Sequence, residues 1–472
     1  MQGVQQFRIT INDILAGEKF LTTPKNKKLR KIFFTTIFTV LIAVTANAQW
    51  TTVGTAGFSA GGAPLITLAF SSSNEPYVAY HDVANGYKAT VMKFDGTNWV
   101  TVGTAGFSAG MAWHTSVALD SNDVPYVAFS DWGNSKKATV IKFDGTNWVT
   151  VGTAGFSAGQ ADYTSLAFSS SNEPYVAYTD DANSKKATVM KYDGNNWLTV
   201  GTPGFSAGVI NYAPLAFSSN NEPYVAYQDG VSSNKATVMK FDGTNWVTVG
   251  TAGFSAGEAY YTSLDLDSND VPYVAYSDRA NASKVTVMKF DGTNWVTVGS
   301  AGFSAGQADY TSLALSSSNE PYVAYQDAAN SGKATVMKFD GTNWITVGTA
   351  GFSIGNAYYT SFAFSNNNEP YVAYSDGGNT YKATVMKFMG PTGVSNLNAA
   401  NKTIDVYPNP TNGMINFSVL TNVQLTTVTG QRIADKKNVN SLDISDQPAG
   451  IYFLTLTDNY GQVVQRSKIV RE

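Results

Sequence analysis

From Trp50 onward, short apolar-rich runs of five or six residues are separated by clusters of Gly, Asn, Asp, Ser and Pro, and the whole pattern recurs every 49 residues. Runs this short, rich in Val, Tyr, Phe and Thr, predict β-strands and not helices. In the third copy they read TSLAF (164–168), PYVAY (174–178), ATVMKY (187–192) and NWLTV (196–200). SSSNE joins the first two runs and an Asp-Gly turn the last two, both natural hairpin connections, so each copy reads as a four-stranded antiparallel meander. Trp50, Trp99, Trp148, Trp197, Trp246, Trp295 and Trp344 mark the period without a single insertion.

A sheet of four short strands cannot bury both its faces alone. Stacking several in a circle covers those faces and leaves only short edges. The expected fold class is therefore all-β, a seven-bladed β-propeller over residues 49–390. The array opens with a lone fourth strand, WTTVG, and stops after the third strand of the last copy, KATVMKFMG. These ends complement each other: residues 50–54 are expected to pair with residues 382–388, an N-terminal strand closure. An open solenoid, the competing arrangement, would require capping units that the sequence lacks.

Residues 1–48 read as an N-terminal extension and signal peptide. Lys25, Lys27, Lys28, Arg30 and Lys31 precede an apolar run from Ile32 to Val44, and Ala46-Asn47-Ala48 supplies small residues for cleavage between Ala48 and Gln49. The run is shorter than the roughly 20 residues a membrane-spanning helix needs. Residues 1–24 precede the signal as a start placed too early would leave them; N-terminal sequencing of the precursor checks this. The leader carries 7 of the 31 basic and 2 of the 35 acidic side chains, so the remainder holds 24 and 33, a formal charge of −9. With no basic stripe to release counterions, nucleic acid is not an expected partner. There are no cysteines, which removes disulfides and thiolate chemistry.

After the repeats, residues 391–402 form a Gly/Pro/Asn/Ala linker. Residues 403–472 read as a small C-terminal β-sandwich of about seven strands, with Pro408, Pro410 and Pro448 at turns. Four of its motifs stand in a fixed order: Val406-Tyr407-Pro408-Asn409-Pro410-Thr411-Asn412-Gly413, Gly430-Gln431, Leu442-Asp443-Ile444-Ser445 followed by Ala449-Gly450-Ile451-Tyr452, and Lys468-Ile469-Val470. In these the segment resembles the type IX secretion C-terminal sorting domain over nearly its whole length. That resemblance implies passage across the outer membrane of Bacteroidota-type bacteria and, as partners, the type IX machinery and its sortase-like protease. It also implies that the product is released or attached to surface polysaccharide, so that a membrane is expected to be met only during export or by later surface attachment.

Catalytic readings find little support. Every copy contains Gly-x-Ser-x-Gly, as in Gly57-Phe58-Ser59-Ala60-Gly61, but a nucleophile elbow needs a strand-turn-helix context and a partner histidine, and the chain has only His81 and His114. A glycine-rich turn is expected instead. Two histidines from separate copies make no transition-metal site, and no cofactor is expected. Asp95-Gly96-Thr97-Asn98-Trp99 resembles, in part, the aspartate box of sialidase-type propellers, a folding element in that family; Arg279 is the single arginine of the repeats, whereas a sialidase needs a cluster. Asp82 and Lys88, repeated through Asp376 and Lys382, are expected to hold a loop as ion pair or turn cap, the alternative being a ring of carboxylates for cations. No catalytic constellation stands out, so the protein is expected not to be an enzyme. Non-repeated carboxylates such as Asp162, Asp181, Glu258 and Asp309 keep a glycoside hydrolase or lyase as an alternative.

Differences among copies concentrate in the loop entering the first strand and the loop leaving the second, which a propeller places on one face around its channel mouth. One position of the first loop carries Tyr163, Tyr212, Tyr261, Tyr310 and Tyr359, with His114 and Leu65 in the other two copies. Beside it stand Trp113, Tyr260 and Tyr358, with Asp162, Asn211, Asp309 and, two positions earlier, Glu258. Aromatic planes cover apolar sugar faces while amides and carboxylates take hydroxyls. The expectation is a secreted or surface-displayed binding protein that recognises carbohydrate through this face. Packing of the tyrosines between blades, a protein-binding adhesin and a structural surface protein are the alternatives.

Overall fold

The computed structural model describes residues 49–390, 404–457 and 463–472. The leader, including Ala48, and the linker 391–402 lie outside the described residues. Two compact units separate at Gly390.

The first unit is built of repeated four-stranded antiparallel sheets, one for each 49-residue copy. In the third copy Ala161–Phe168, Pro174–Asp180, Lys186–Tyr192 and Trp197–Thr199 hydrogen-bond in sequence order. The first strand starts earlier than its apolar run suggests, and the fourth is only three residues long. Prolines cause the exceptions, because they return no N–H to the ladder. Pro64 accepts from the His81 N–H but cannot donate, and the first strand of copy one shrinks to Thr67–Phe70. Pro214 splits its counterpart in copy four into Ile210–Asn211 and Leu215–Phe217.

The second strand is buried along nearly its whole length in every copy, as in Pro174–Asp180, since neighbouring sheets cover both its faces. No sheet has a core of its own. One apolar cluster joins Tyr77, Ala79 and Val91 of copy one to Val117, Val127 and Phe129 of copy two, and another joins Val78 and Tyr80 of copy one to Tyr371, Ala373 and Val385 of copy seven. Polar links repeat with the packing. The Trp148 Nε1–H donates to the Val102 carbonyl at 2.8 Å, and the ring stacks on Phe107 with centroids 4.0 Å apart. The Leu166 N–H donates to Ser116 Oγ of the preceding copy at 3.0 Å; the same bond joins Leu68 of copy one to Ser361 of copy seven at 3.1 Å.

The lone strand Gln49–Thr52 pairs antiparallel with Lys382–Met389, Trp50 opposite Phe388, and supplies the fourth strand of the last sheet. Its tryptophan makes the bond found in the other copies, Nε1–H to Val347 O at 2.8 Å.

In the second unit five described strands, Val406–Tyr407, Met414–Thr427, Arg432–Asp443, Gly450–Thr457 and Val463–Arg471, pair antiparallel around a core of Ile415, Leu425, Leu454, Leu456 and Ile469. Among the described residues five strands stand where about seven were expected: Met414–Thr427 runs unbroken for 14 residues and pairs with Arg432–Asp443 on both sides of a register change between Asn416 and Thr421. The motif residues interlock these strands. Asn409 donates through Nδ2 to Lys468 O at 2.6 Å and accepts from the Val470 N–H at 2.9 Å, tying the Tyr407-Pro408-Asn409-Pro410 turn to the last strand. Gly413 sits at φ +146, where a Cβ would lie 2.7 Å from that of Ser445. The Tyr452 hydroxyl donates to Pro448 O at 2.7 Å, while Gly450 opens the strand that carries it.

Candidate functional site

A β-bulge in the first strand builds the candidate site. In copy three Ala161 pairs with Asp180 and Asp162 with Thr179, and the register then jumps to Ser165 opposite Ala177, so Tyr163 and Thr164 together face one residue. The bulged position is left-handed in every copy: φ is 54° at Leu65, 52° at His114 and Tyr163, 59° at Tyr212, 53° at Tyr261 and Tyr310, and 54° at Tyr359. A bulky side chain held there costs on the order of 1 kcal/mol or more, and such strain persists only where the surroundings over-determine it.

All seven of these side chains line one cavity of about 300 Å³. Ring centroids follow one another at 4.5 Å from His114 to Tyr163, 5.1 Å to Tyr212, 5.6 Å to Tyr261, 4.9 Å to Tyr310 and 4.7 Å to Tyr359, an aromatic arc interrupted only by Leu65. The next residue fixes the arc from behind. Thr115 Oγ1 donates to Leu65 O at 2.6 Å, and Thr164, Thr311 and Thr360 donate in the same way to His114, Tyr261 and Tyr310 of the preceding copy. Burial pushes the Tyr163, Tyr212, Tyr261 and Tyr310 phenols up and the His114 imidazole down, so these five groups are uncharged near neutrality. It offers π faces and hydroxyls.

The expected residues fall into two adjoining groups, with Tyr358 6.3 Å from Tyr310 and Trp113 6.4 Å from His114. Trp113, Asp162, Asn211, Tyr260, Asp309 and Tyr358, one residue earlier, do not line the cavity, nor does Glu258. Successive strand residues point to opposite sides, and these turn toward the loop leaving the second strand. Trp113 lies 6.2 Å from Trp132, Tyr358 lies 5.5 Å from Tyr381, and the Arg279 guanidinium stands 4.9 Å over Tyr260. Asn211 donates to Gln228 Oε1 at 2.8 Å, the Glu258 carboxylate accepts from the Tyr260 hydroxyl at 3.2 Å, and Asp309 accepts from Gln307 Nε2 at 3.2 Å. Backbone bonds join the two loops within each copy, as from the Trp132 N–H to Met111 O at 3.0 Å. The sequence reading placed the second loop on this face but left its residues, such as Trp132, out of the candidate site. The available signal was that Trp113 and Trp132 are the two tryptophans outside the 49-residue series.

The repeated carboxylates are turn caps. Asp180 caps the short turn Asp181–Asn183, accepting from the Ala182 N–H at 3.1 Å, Asn183 Nδ2 at 2.8 Å and Thr188 Oγ1 at 2.8 Å. Its counterparts, from Asp82 to Asp376, are equally buried and make no ion pair with the lysine opposite. Among the described residues no three His, Cys, Asp or Glu side chains are grouped to hold a metal ion. Ser59 of the Gly-x-Ser-x-Gly string is buried, donating to Gly61 O at 2.6 Å and accepting from the Ala383 N–H at 2.9 Å, so it shapes a turn. Asp95 accepts from the Thr97 and Asn98 N–H groups of its exposed turn.

Residues 405–471 match the family described as the secretion system C-terminal sorting domain, which marks the protein for type IX export to the cell surface or beyond it. No curated protein matches the chain. Similar solved structures include the extracellular domain assigned to a hybrid two-component system of B. thetaiotaomicron, at 9% identity and a TM-score of 0.47, covering 89% of this chain and 57% of that one. An ulvan lyase of family PL25 bound to -[GlcA(1-4)Rha3S]- aligns at 11% identity and a TM-score of 0.48, over 74% of this chain and 95% of that one. The Aleuria aurantia lectin in complex with Fucα1-6GlcNAc aligns at 16% identity and a TM-score of 0.42, over 60% and 97% respectively. At these levels the function of the repeats rests on their own residues.

Proposed function

We propose that the repeats form a closed seven-bladed propeller whose loop face binds carbohydrate outside the cell, without catalysing a reaction. In this reading the leader is removed between Ala48 and Gln49 and the strand Gln49–Thr52 latches the ring. The sorting domain then engages the type IX machinery and its protease, leaving the propeller released or surface-attached. The observation that carries the binding proposal is the aromatic arc: rings from six copies, each on a left-handed residue, converge on one cavity. Packing alone does not require a bulky residue in that conformation, whereas a recognition surface benefits from rings fixed in advance.

A glycan array with the purified secreted protein tests this against a Tyr212→Ala/Tyr261→Ala double variant. Removing two adjacent rings, each worth about 0.5–1.5 kcal/mol in stacking, is expected to weaken binding about tenfold or more. Absence of any glycan ligand, or affinity unchanged in the double variant, overturns the proposal.

A further inference from the structure

On top of the carbohydrate reading, and resting on it, we propose that the seam beside copy two is a separate subsite for an acidic sugar residue, one carrying a carboxylate or a sulfate. Each copy brings the residue before the bulge next to the residue that follows the capping aspartate. In copy two alone both are indoles: Trp113 and Trp132 lie 6.2 Å apart, tilted by 28°, and remain 39% and 41% exposed. The seven tryptophans of the 49-residue series stack on phenylalanines at about 4 Å instead, as Trp197 does on Phe156. Two near-parallel, half-exposed indoles leave apolar ring surface on the order of a pyranose ring in size.

The platform carries a positive charge. The Lys136 ammonium stands 4.3 Å above the Trp132 ring and makes no ion pair among the described residues. The capping carboxylates of copies one and two are already occupied, and the next acidic group along this face is Asp162 of copy three, whose neighbour Ala161 donates its N–H to Lys136 O at 2.9 Å. Asp82 accepts from the Ala84 N–H, Asn85 Nδ2 and Thr90 Oγ1, and Asp131 from the Gly133 N–H, Asn134 Nδ2 and Thr139 Oγ1. On the other side His81 packs 5.0 Å from Trp113 and 4.9 Å from Tyr87, and its buried Nε2 has no hydrogen-bond partner. A sugar face on Trp113 places its hydroxyls toward this seam, while an acidic substituent meets the ammonium over Trp132. A neutral sugar leaves that charge unused.

The test measures binding of neutral, uronate-bearing and sulfated oligosaccharides to the secreted protein and to Trp113→Ala, Trp132→Ala and Lys136→Gln variants, with melting temperatures followed in parallel. Wild type is expected to hold at least one acidic class about tenfold tighter than the neutral counterpart, and the uronate and sulfate arms tell which. Each tryptophan variant is expected to lose about tenfold on that ligand while melting as the wild type does. Lys136→Gln should abolish the preference while keeping neutral-sugar affinity. Equal affinity for acidic and neutral sugars, or acidic-sugar binding indifferent to Trp113→Ala and Lys136→Gln, overturns the subsite but leaves the tyrosine arc standing. A wild-type protein that binds no glycan overturns both.

Discussion

Replacing Trp50 by alanine is expected to destabilise the repeats by about 3–5 kcal/mol, the range for deleting a buried indole. Its ring is 7% exposed, stacks on Phe352 at 4.4 Å and contacts Phe388 at 5.5 Å, and Nε1–H donates to Val347 O at 2.8 Å. Trp197→Ala removes nearly identical contacts, a stack on Phe156 at 4.1 Å and a bond to Val151 O at 2.8 Å. The two variants should nonetheless behave differently. Chain continues on both sides of Trp197, so its strand is held in place while the cavity is absorbed. With the leader removed as proposed, Gln49–Thr52 would join the body only through Thr52 onward, and without its tryptophan it would retain a few ladder bonds that do not offset the entropy of ordering it. Lys382–Met389 then becomes an unpaired edge. Guanidinium unfolding should show the large loss in both variants, and amide exchange should show early opening of Thr51, Val53 and Lys382–Met389 in Trp50→Ala alone. A loss below about 1 kcal/mol, with those amides still protected, would remove the latch from the account of this fold.

Strand type and order were legible in the repeats because each apolar run meets a turn residue that permits no other continuation. PYVAY with an aspartate two residues on is an example: the run was expected over 174–178, and the structure carries the strand on to Asp180, which caps the following turn. Complementarity of WTTVG with KATVMKFMG was equally plain, since a copy lacking its fourth strand and a fourth strand lacking its copy stand at opposite ends. The bulge was not legible. Tyr163 sits in a run, ADYT, that looks like a loop because its polar residues break the alternation; the backbone instead stays in the ladder and takes one left-handed residue to do so. That step brings Tyr163 into the cavity lining and leaves Asp162 out of it, which is why residues adjacent in sequence fall into two groups. A left-handed tyrosine leaves no compositional trace, unlike the glycine that usually marks such a position.

Asp265 was invisible for a related reason, since it occupies a position that is alanine in the other six copies and reads as drift. Replacing it by alanine is expected to change how stability depends on pH. Its carboxylate accepts from the Leu315 N–H at 2.8 Å and the Leu266 N–H at 2.9 Å, yet burial outweighs both bonds and pushes its pKa up from 3.8 to about 6. The folded chain therefore holds this proton more tightly than the unfolded one. Below pH ~4 both states are protonated and the site carries no penalty; between pH ~4 and ~6 the unfolded state ionises first, so stability falls as pH rises. Above that window the full penalty is present, on the order of 2 kcal/mol once the solvent still reaching this half-buried residue is allowed for. Urea unfolding of wild type and Asp265→Ala from pH 4 to 8 isolates the effect, because His81 and His114, whose depressed pKa values act in the opposite direction, are common to both proteins. At the acid end the wild type, keeping two hydrogen bonds the variant lacks, should be the more stable; its advantage should shrink by on the order of 2 kcal/mol toward neutrality and then level off. Parallel curves across that range would mean that Asp265 titrates as an ordinary surface carboxylate, and that the copy-five aspartate costs the neutral protein nothing.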